Sequence, residues 1–172
     1  EIVPGRQTDP RIVSSLKLFL EEIGKVPVVL KKEVPGYLEN RLTAAIWREA
    51  IDLVLNDVAS VEDVDKAIWA GPGLRYALMG PLLIYHIGGG EGGVRSFIRH
   101  IGAAAEEWWK DMKTWTKIPE NAADILEKGI IESMHGKTIR EVCDWRDHRL
   151  MDVIRAADIN AKYSLEDKGE TP

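Results

Sequence analysis

The sequence is poor in cysteine: Cys143 stands alone. A single thiol has no intrachain partner, so an internal disulfide framework is excluded. The usage fits a reducing cytoplasm, the expected location. Long apolar runs are missing too. No stretch approaches the roughly 18 residues needed to cross a bilayer, and no signal-peptide pattern is read, so no membrane partner is expected. An excess of basic charge is also lacking. Lys and Arg number 23 against 28 Asp and Glu, a net charge of −5, and the signs are interspersed without a basic stripe. Nucleic acid is therefore not an expected partner. The four histidines, His86, His100, His135 and His148, share no metal-ligand spacing, and no metal is expected. Repeats and low-complexity segments do not occur.

What is present suffices for a folded domain. At 172 residues and 45% apolar composition, the chain can build one ordinary domain with or without an appended piece. It opens on Glu1 rather than Met and is expected to begin inside a longer protein. Ile2-Val3 reads as the end of a strand that stops at Pro4-Gly5. Asp9-Pro10 reads as a helix start, Ile12, Leu16, Phe19 and Ile23 recur at helical spacing, and Gly24 supplies a stop. Val26 to Leu30 is short, β-branched and apolar, as a buried strand is. This trailing strand-helix-strand needs neighbouring strands from elsewhere to complete a sheet.

From Pro35-Gly36 onward the pattern turns helical. Leu38 to Leu55 is apolar almost all round, which predicts a central helix surrounded by others. Ser60 to Asp63 resembles a capping box opening a short helix to Ala70. Val94 to Met112 carries Phe97, Ile101, Ala104 and Trp108 on one face. Pro119 opens a helix through Met134, and Thr138 can cap a long last helix. Ser164 to Pro172 is polar and reads as a disordered tail.

Gly71 to Gly93 holds eight of the fifteen glycines. An apolar run, Leu82 to Ile87, leads into Gly88, Gly90 and Gly93, which spell the G-x-G-x-x-G of a dinucleotide site. Such a site needs a strand on either side of the glycines and their helix. Here Pro81 precedes the run, and KTWTKIP follows the helix, so the match reads as a coincidence of spacing. The expected structure is a turn and loop between helices, allowing close backbone approach.

Individual residues then stand out. Arg75, between Leu74 and Tyr76, needs an anion, either a protein carboxylate or a ligand. Asn40 sits near a helix start, where its amide either satisfies backbone groups or faces a cleft. His86 suits a structural or supporting role. Cys143 and most of the six tryptophans suit packing or an interface. The acidic pairs Glu49/Asp52 and Glu62/Asp65 suit solvated helix faces.

Six runs occur in an order that resembles the C-terminal half of the NAD-dependent 3-hydroxyacyl-CoA dehydrogenase family. They are Glu1-Ile2-Val3, the Pro10–Gly24 helix, Val26–Leu30, the Pro35–Leu42 run PGYLENRL, Ser60–Asp65 and Met79-Gly80-Pro81. The likeness covers the first 90 residues well. Gly73 to Ala77, with His86 and the glycines behind, is similar to the carnitine 3-dehydrogenase and L-gulonate 3-dehydrogenase branch. Trp145-Arg146-Asp147 is similar to that branch as well.

The resemblance implies a mainly α fold. Residues 1–34 would be the trailing β-α-β segment of an otherwise absent Rossmann-like domain, and 35–163 an all-α substrate and dimerisation domain that packs a homodimer and closes the substrate cleft. It implies catalytic roles for Glu1, which orients a histidine base, and Asn40, which assists at the substrate carbonyl. It gives Arg75 the carboxylate of a small hydroxy acid, with Tyr76, Tyr85 or a tryptophan as an aromatic wall for a trimethylammonium group. The cofactor implied is NAD, and the substrate a carnitine-like hydroxy acid or a 3-hydroxyacyl-CoA. The histidine, the true fingerprint glycines and the ribose acid would precede residue 1. This chain alone is accordingly expected neither to bind NAD nor to transfer hydride without its N-terminal NAD-binding half. The competing expectation is a non-catalytic helical dimerisation module.

Overall fold

Helix boundaries follow capping chemistry. In a computed structural model of the chain, residues 1–157 are described. The expected tail, 164–172, and the end of the predicted helical domain at 163 lie outside them. Asp9 accepts the Arg11 N–H at 2.8 Å, and Pro10 fills the first position of α1 (Pro10–Glu22). Gly24, at φ +75°, ends it, with the Lys25 N–H returning to the Leu20 carbonyl. Next come α2 (Glu39–Leu55) and α3 (Val61–Trp69), the latter opened by Ser60, whose hydroxyl accepts the Asp63 N–H at 3.1 Å. Then follow α4 (Pro72–Tyr76), α5 (Pro81–Gly88), a 3-10 turn (Gly90–Gly92) and α6 (Gly93–Asp111). Last are α7 (Ala122–Ser133) and α8 (Ile139–Ala156). At the head of α8 a reciprocal capping box forms. The Thr138 N–H donates to Glu141 Oε2 at 2.8 Å, and the Glu141 N–H donates to Thr138 Oγ1 at 3.3 Å.

The chain is mostly helical, as its periodicity predicts. The two expected strands are reduced, among the described residues, to one isolated parallel bridge between Ile2 and Val29. The Ile2 N–H donates to the Val28 carbonyl at 2.7 Å, and the Leu30 N–H to the Ile2 carbonyl at 2.9 Å. Prolines limit the ladder: Pro4 stands two residues beyond Ile2, and Pro27 offers no N–H.

The expected turn and loop at Gly71–Gly93 is corrected in its first part. Pro72 and Pro81 each sit at a helix start and preset its φ, so α4 and α5 are helices. The glycines after Ile87 do form the connection between two helices.

Two units divide the chain. One comprises Glu1–Ala44 with the stretch beginning at Arg149, and the other Ala45–His148. In the first, Ile2 and Leu30 are buried beside the bridge. In the second, α3 packs on α4 and α7, and α5 packs on α6. The α3–α7 contact is close because Gly129 lies against Val61: a Cβ built at Gly129 would meet a Val61 methyl within contact distance. Val61, Val64 and Ala122 are buried there. The all-round burial expected of α2 is not found. Ile51 is its one buried residue, while Leu42 and Trp47 are exposed by 61% and 54%. The apolar pattern of α2 exceeds what its contacts within this chain cover.

Candidate functional site

The PGYLENRL run folds as a device for starting a helix. Pro35-Gly36 occupies the centre of a turn closed by the Tyr37 N–H on the Val34 carbonyl at 3.0 Å, with Gly36 at φ +79°, the type II geometry. Tyr37 follows at φ +51°, a left-handed conformation that costs a non-glycine residue on the order of 1–3 kcal/mol. This double reversal turns the next amides back toward the start of the chain. Glu1 Oε1 accepts the Leu38 N–H at 2.8 Å and the Glu39 N–H at 3.3 Å. Leu38 is the residue whose carbonyl accepts the first helical bond of α2, from the Leu42 N–H at 3.1 Å. A carboxylate therefore caps α2 from 37 residues away, where the helix dipole favours negative charge. Asn40 is the second residue of α2, one step beyond the clamped amides. Arg41 closes the motif, its guanidinium donating to the Pro35 carbonyl at 3.3 Å. The two residues predicted as catalytic, Glu1 and Asn40, are thus brought to one turn.

Arg75 and Tyr76 lie in α4 of the second unit. Arg75 is exposed and, among the described residues, pairs with no carboxylate. Of the two partners the sequence allowed, a protein carboxylate is not the one seen. Partial burial, and then the hydroxyl of Tyr85 beside it, push the Tyr76 phenol above its ordinary value, against a smaller downward pull from Arg75. Tyr85 is itself held by stacking on Phe97, with ring centroids 4.9 Å apart and planes at 23°.

The glycine segment builds a close helix pair. At Gly93, φ is +56° and the His86 ring lies where a Cβ would stand, 2.6 Å from its Cε1. His86 Nδ1 accepts the Val94 N–H at 3.3 Å, so the ring caps the first turn of α6 and its proton sits on Nε2 when neutral. A dinucleotide does not fit this element. A helix rather than a strand precedes the glycines, and the His86 ring occupies the space against Gly93. Between α5 and α6 runs an apolar groove of about 740 Å³, lined among others by Leu82, Tyr85, Phe97, Ile98, Trp108 and Trp109. Leu82 is 82% exposed and Trp109 65%.

Among the described residues no three His, Cys, Asp or Glu side chains gather to hold a metal ion. Among the described residues no helix is long and apolar enough to cross a membrane. Glu62 pairs with Lys66 at 2.5 Å on a solvated face, as the sequence suggests. Sequence reading missed the amides of Leu38 and Glu39 as partners of Glu1, the His86 cap, and Ile98 in the groove. The P-G-Y run carried a signal for the first, since a type II turn before a helix aims its free amides.

Comparison with known proteins identifies the family. Residues 36–125 match the family described as 3-hydroxyacyl-CoA dehydrogenase, C-terminal domain. The L-carnitine dehydrogenase of Streptomyces griseus is 36% identical over 156 residues, covering 91% of this chain and 46% of that protein. The L-carnitine dehydrogenase of Burkholderia mallei is 33% identical, covering 96% of this chain and 51% of that protein. The chain spans about half the length of the curated relatives it matches. Among solved structures, that of 5-formyl-3-hydroxy-2-methylpyridine 4-carboxylic acid 5-dehydrogenase, an NAD+-dependent dismutase, superimposes with a TM-score of 0.70 at 26% identity. It covers 92% of this chain and 50% of the other. The chain belongs to the 3-hydroxyacyl-CoA dehydrogenase C-terminal domain family.

Proposed function

We propose that this chain is the substrate-binding and dimerisation portion of an NAD-dependent dehydrogenase that oxidises the 3-hydroxy group of a small carboxylate. The observation that carries the reading is the clamp of Glu1 on the first turn of α2, whose bonds to the Leu38 and Glu39 amides bring its carboxylate to the turn that carries Asn40. In this reading the Glu1 carboxylate orients an imidazole base, which takes the hydroxyl proton. The Asn40 amide donates a hydrogen bond to the carbonyl oxygen that forms. Arg75 binds the substrate carboxylate through charge-assisted bonds, supported by its exposure and lack of a described protein partner. Tyr76 lies beside Arg75 to face the substrate. NAD supplies the hydride acceptor and is held by a nucleotide-binding portion outside the elements described, consistent with the misfit at Gly93.

A carnitine-like substrate is favoured by the names of the relatives and by Tyr76, which adjoins Arg75 and has Tyr85 beside it. The homodimer has its support in the exposed apolar groove between α5 and α6, a surface larger than isolated apolar residues need. That same groove favours the second reading, a helical interaction module without activity.

One experiment separates them. The full protein is assayed with NAD against carnitine, gulonate and a short 3-hydroxyacyl-CoA, with sedimentation in parallel. NADH formation with one of the three supports the enzyme. A dimer that forms no NADH with any of them supports the module.

A further inference from the structure

We propose that Glu1 is also the positioning residue for Asn40, using its two oxygens for two tasks. The inference rests on the catalytic reading above for its consequence but not for its geometry. Both clamping bonds land on Oε1, from Leu38 at 2.8 Å and Glu39 at 3.3 Å. Glu1 is exposed and, among the described residues, its Oε2 accepts no hydrogen bond, which leaves lone pairs available to an imidazole N–H. A carboxylate has about four acceptor sites, enough for both duties.

The clamp matters because the opening turn of α2 is not self-sufficient. Its N-terminal amides lack a local Ser, Thr, Asn or Asp cap: the residues just before the helix are Gly36, Tyr37 and Leu38. Tyr37 in the left-handed region favours relaxation away from the observed turn. Glu1 supplies from a distance what the local sequence omits, and it does so one residue before Asn40. Ile2, fixed on both sides by the Val28 carbonyl and the Leu30 N–H, gives the Glu1 backbone a rigid mount. The position of the Asn40 amide is thereby tied to the carboxylate that orients the base. Misplacing one misplaces the other.

The substitutions Glu1→Ala and Glu1→Gln in the full protein test this. Glutamine keeps an oxygen that can accept both amides and loses the charge, whereas alanine loses both. Amide hydrogen exchange at Leu38 and Glu39 is expected to accelerate about five- to tenfold in Glu1→Ala and to stay near wild type in Glu1→Gln. The Asn40 side-chain amide resonance is expected to shift in Glu1→Ala and return in Glu1→Gln. Unchanged exchange at both amides in Glu1→Ala, or an unmoved Asn40 signal, overturns the proposal. Turnover is read separately. If exchange and the Asn40 signal respond as stated while turnover is untouched in both variants, the clamp stands and the catalytic reading fails.

Discussion

The α-carbon of Gly89 faces the carbonyl of Gly93 so closely that a methyl group placed on it would stand 1.8 Å from the oxygen and 3.0 Å from the Phe97 nitrogen. The obstacle is backbone, which cannot rotate away as a side chain does. This contact sets how near α5 approaches α6, and with it the stacking of Tyr85 on Phe97. Gly89→Ala is expected to destabilise the protein by at least about 2 kcal/mol. Gly80→Ala, where nothing lies within 4 Å, is expected to cost less than about 1 kcal/mol. Urea midpoints of the two variants check the contrast, and similar values would mean that α5 and α6 tolerate separation.

Arg75→Ala addresses the carboxylate role. Losing charge-assisted bonds is expected to raise KM for an acid substrate roughly 10- to 100-fold while KM for NAD stays near wild type. Steady-state kinetics with each substrate varied in turn provide the measurement. Equal losses for both would remove Arg75 from substrate binding.

Glu1→Gln addresses the imidazole. With the capping oxygen retained and the charge gone, kcat is expected to fall more than about tenfold with NAD affinity nearly unchanged. Wild-type turnover in this variant would take Glu1 out of the catalytic pair.

Glu141 offers a test in pH. The Thr138 backbone N–H, followed by the Thr138 hydroxyl, holds the Glu141 carboxyl below its ordinary value. A lowered folded-state value stabilises the protein at pH above the ordinary carboxylate range, near 4.3, and the contribution fades as pH falls through the lowered value. Glu141→Ala is therefore expected to lower the urea midpoint at pH 7, with the gap to wild type narrowing as pH falls through the lowered value. A gap of constant size across that range would assign the effect to helix propensity instead.

Capping residues were the most legible part of this chain, because Asp9, Ser60 and Thr138 act on amides two or three residues away. Local chemistry of that kind is written in local sequence. The helices α4 and α5 were hidden because Pro72 and Pro81 signal turns as readily as helix starts, and glycines surround both. For α2, the apolar pattern promised burial that Leu42 and Trp47 do not find within this chain, since periodicity reports the need for a partner and not its identity. The pairing of Glu1 with Leu38 was half legible: the P-G-Y run signals free amides at the start of α2, but nothing local names the carboxylate that meets them. It depends on the bridge at Ile2 and on the left-handed turn at Tyr37, two features set by contacts distant in sequence.

The bridge at Ile2 and the clamp at Glu1 together close a ring of chain. Two adjacent residues tie the start of the sequence to positions 28, 30, 38 and 39, enclosing α1. Closing a ring of some 37 residues costs entropy that grows only with the logarithm of its length, but that cost is met before any of its bonds are gained. The bonds at Ile2 and Glu1 share one closure, so they are expected to open as a set. The carboxylate of Glu1 is thus mounted on a latch whose release frees the first turn of α2, and with it Asn40, without melting the helices on either side.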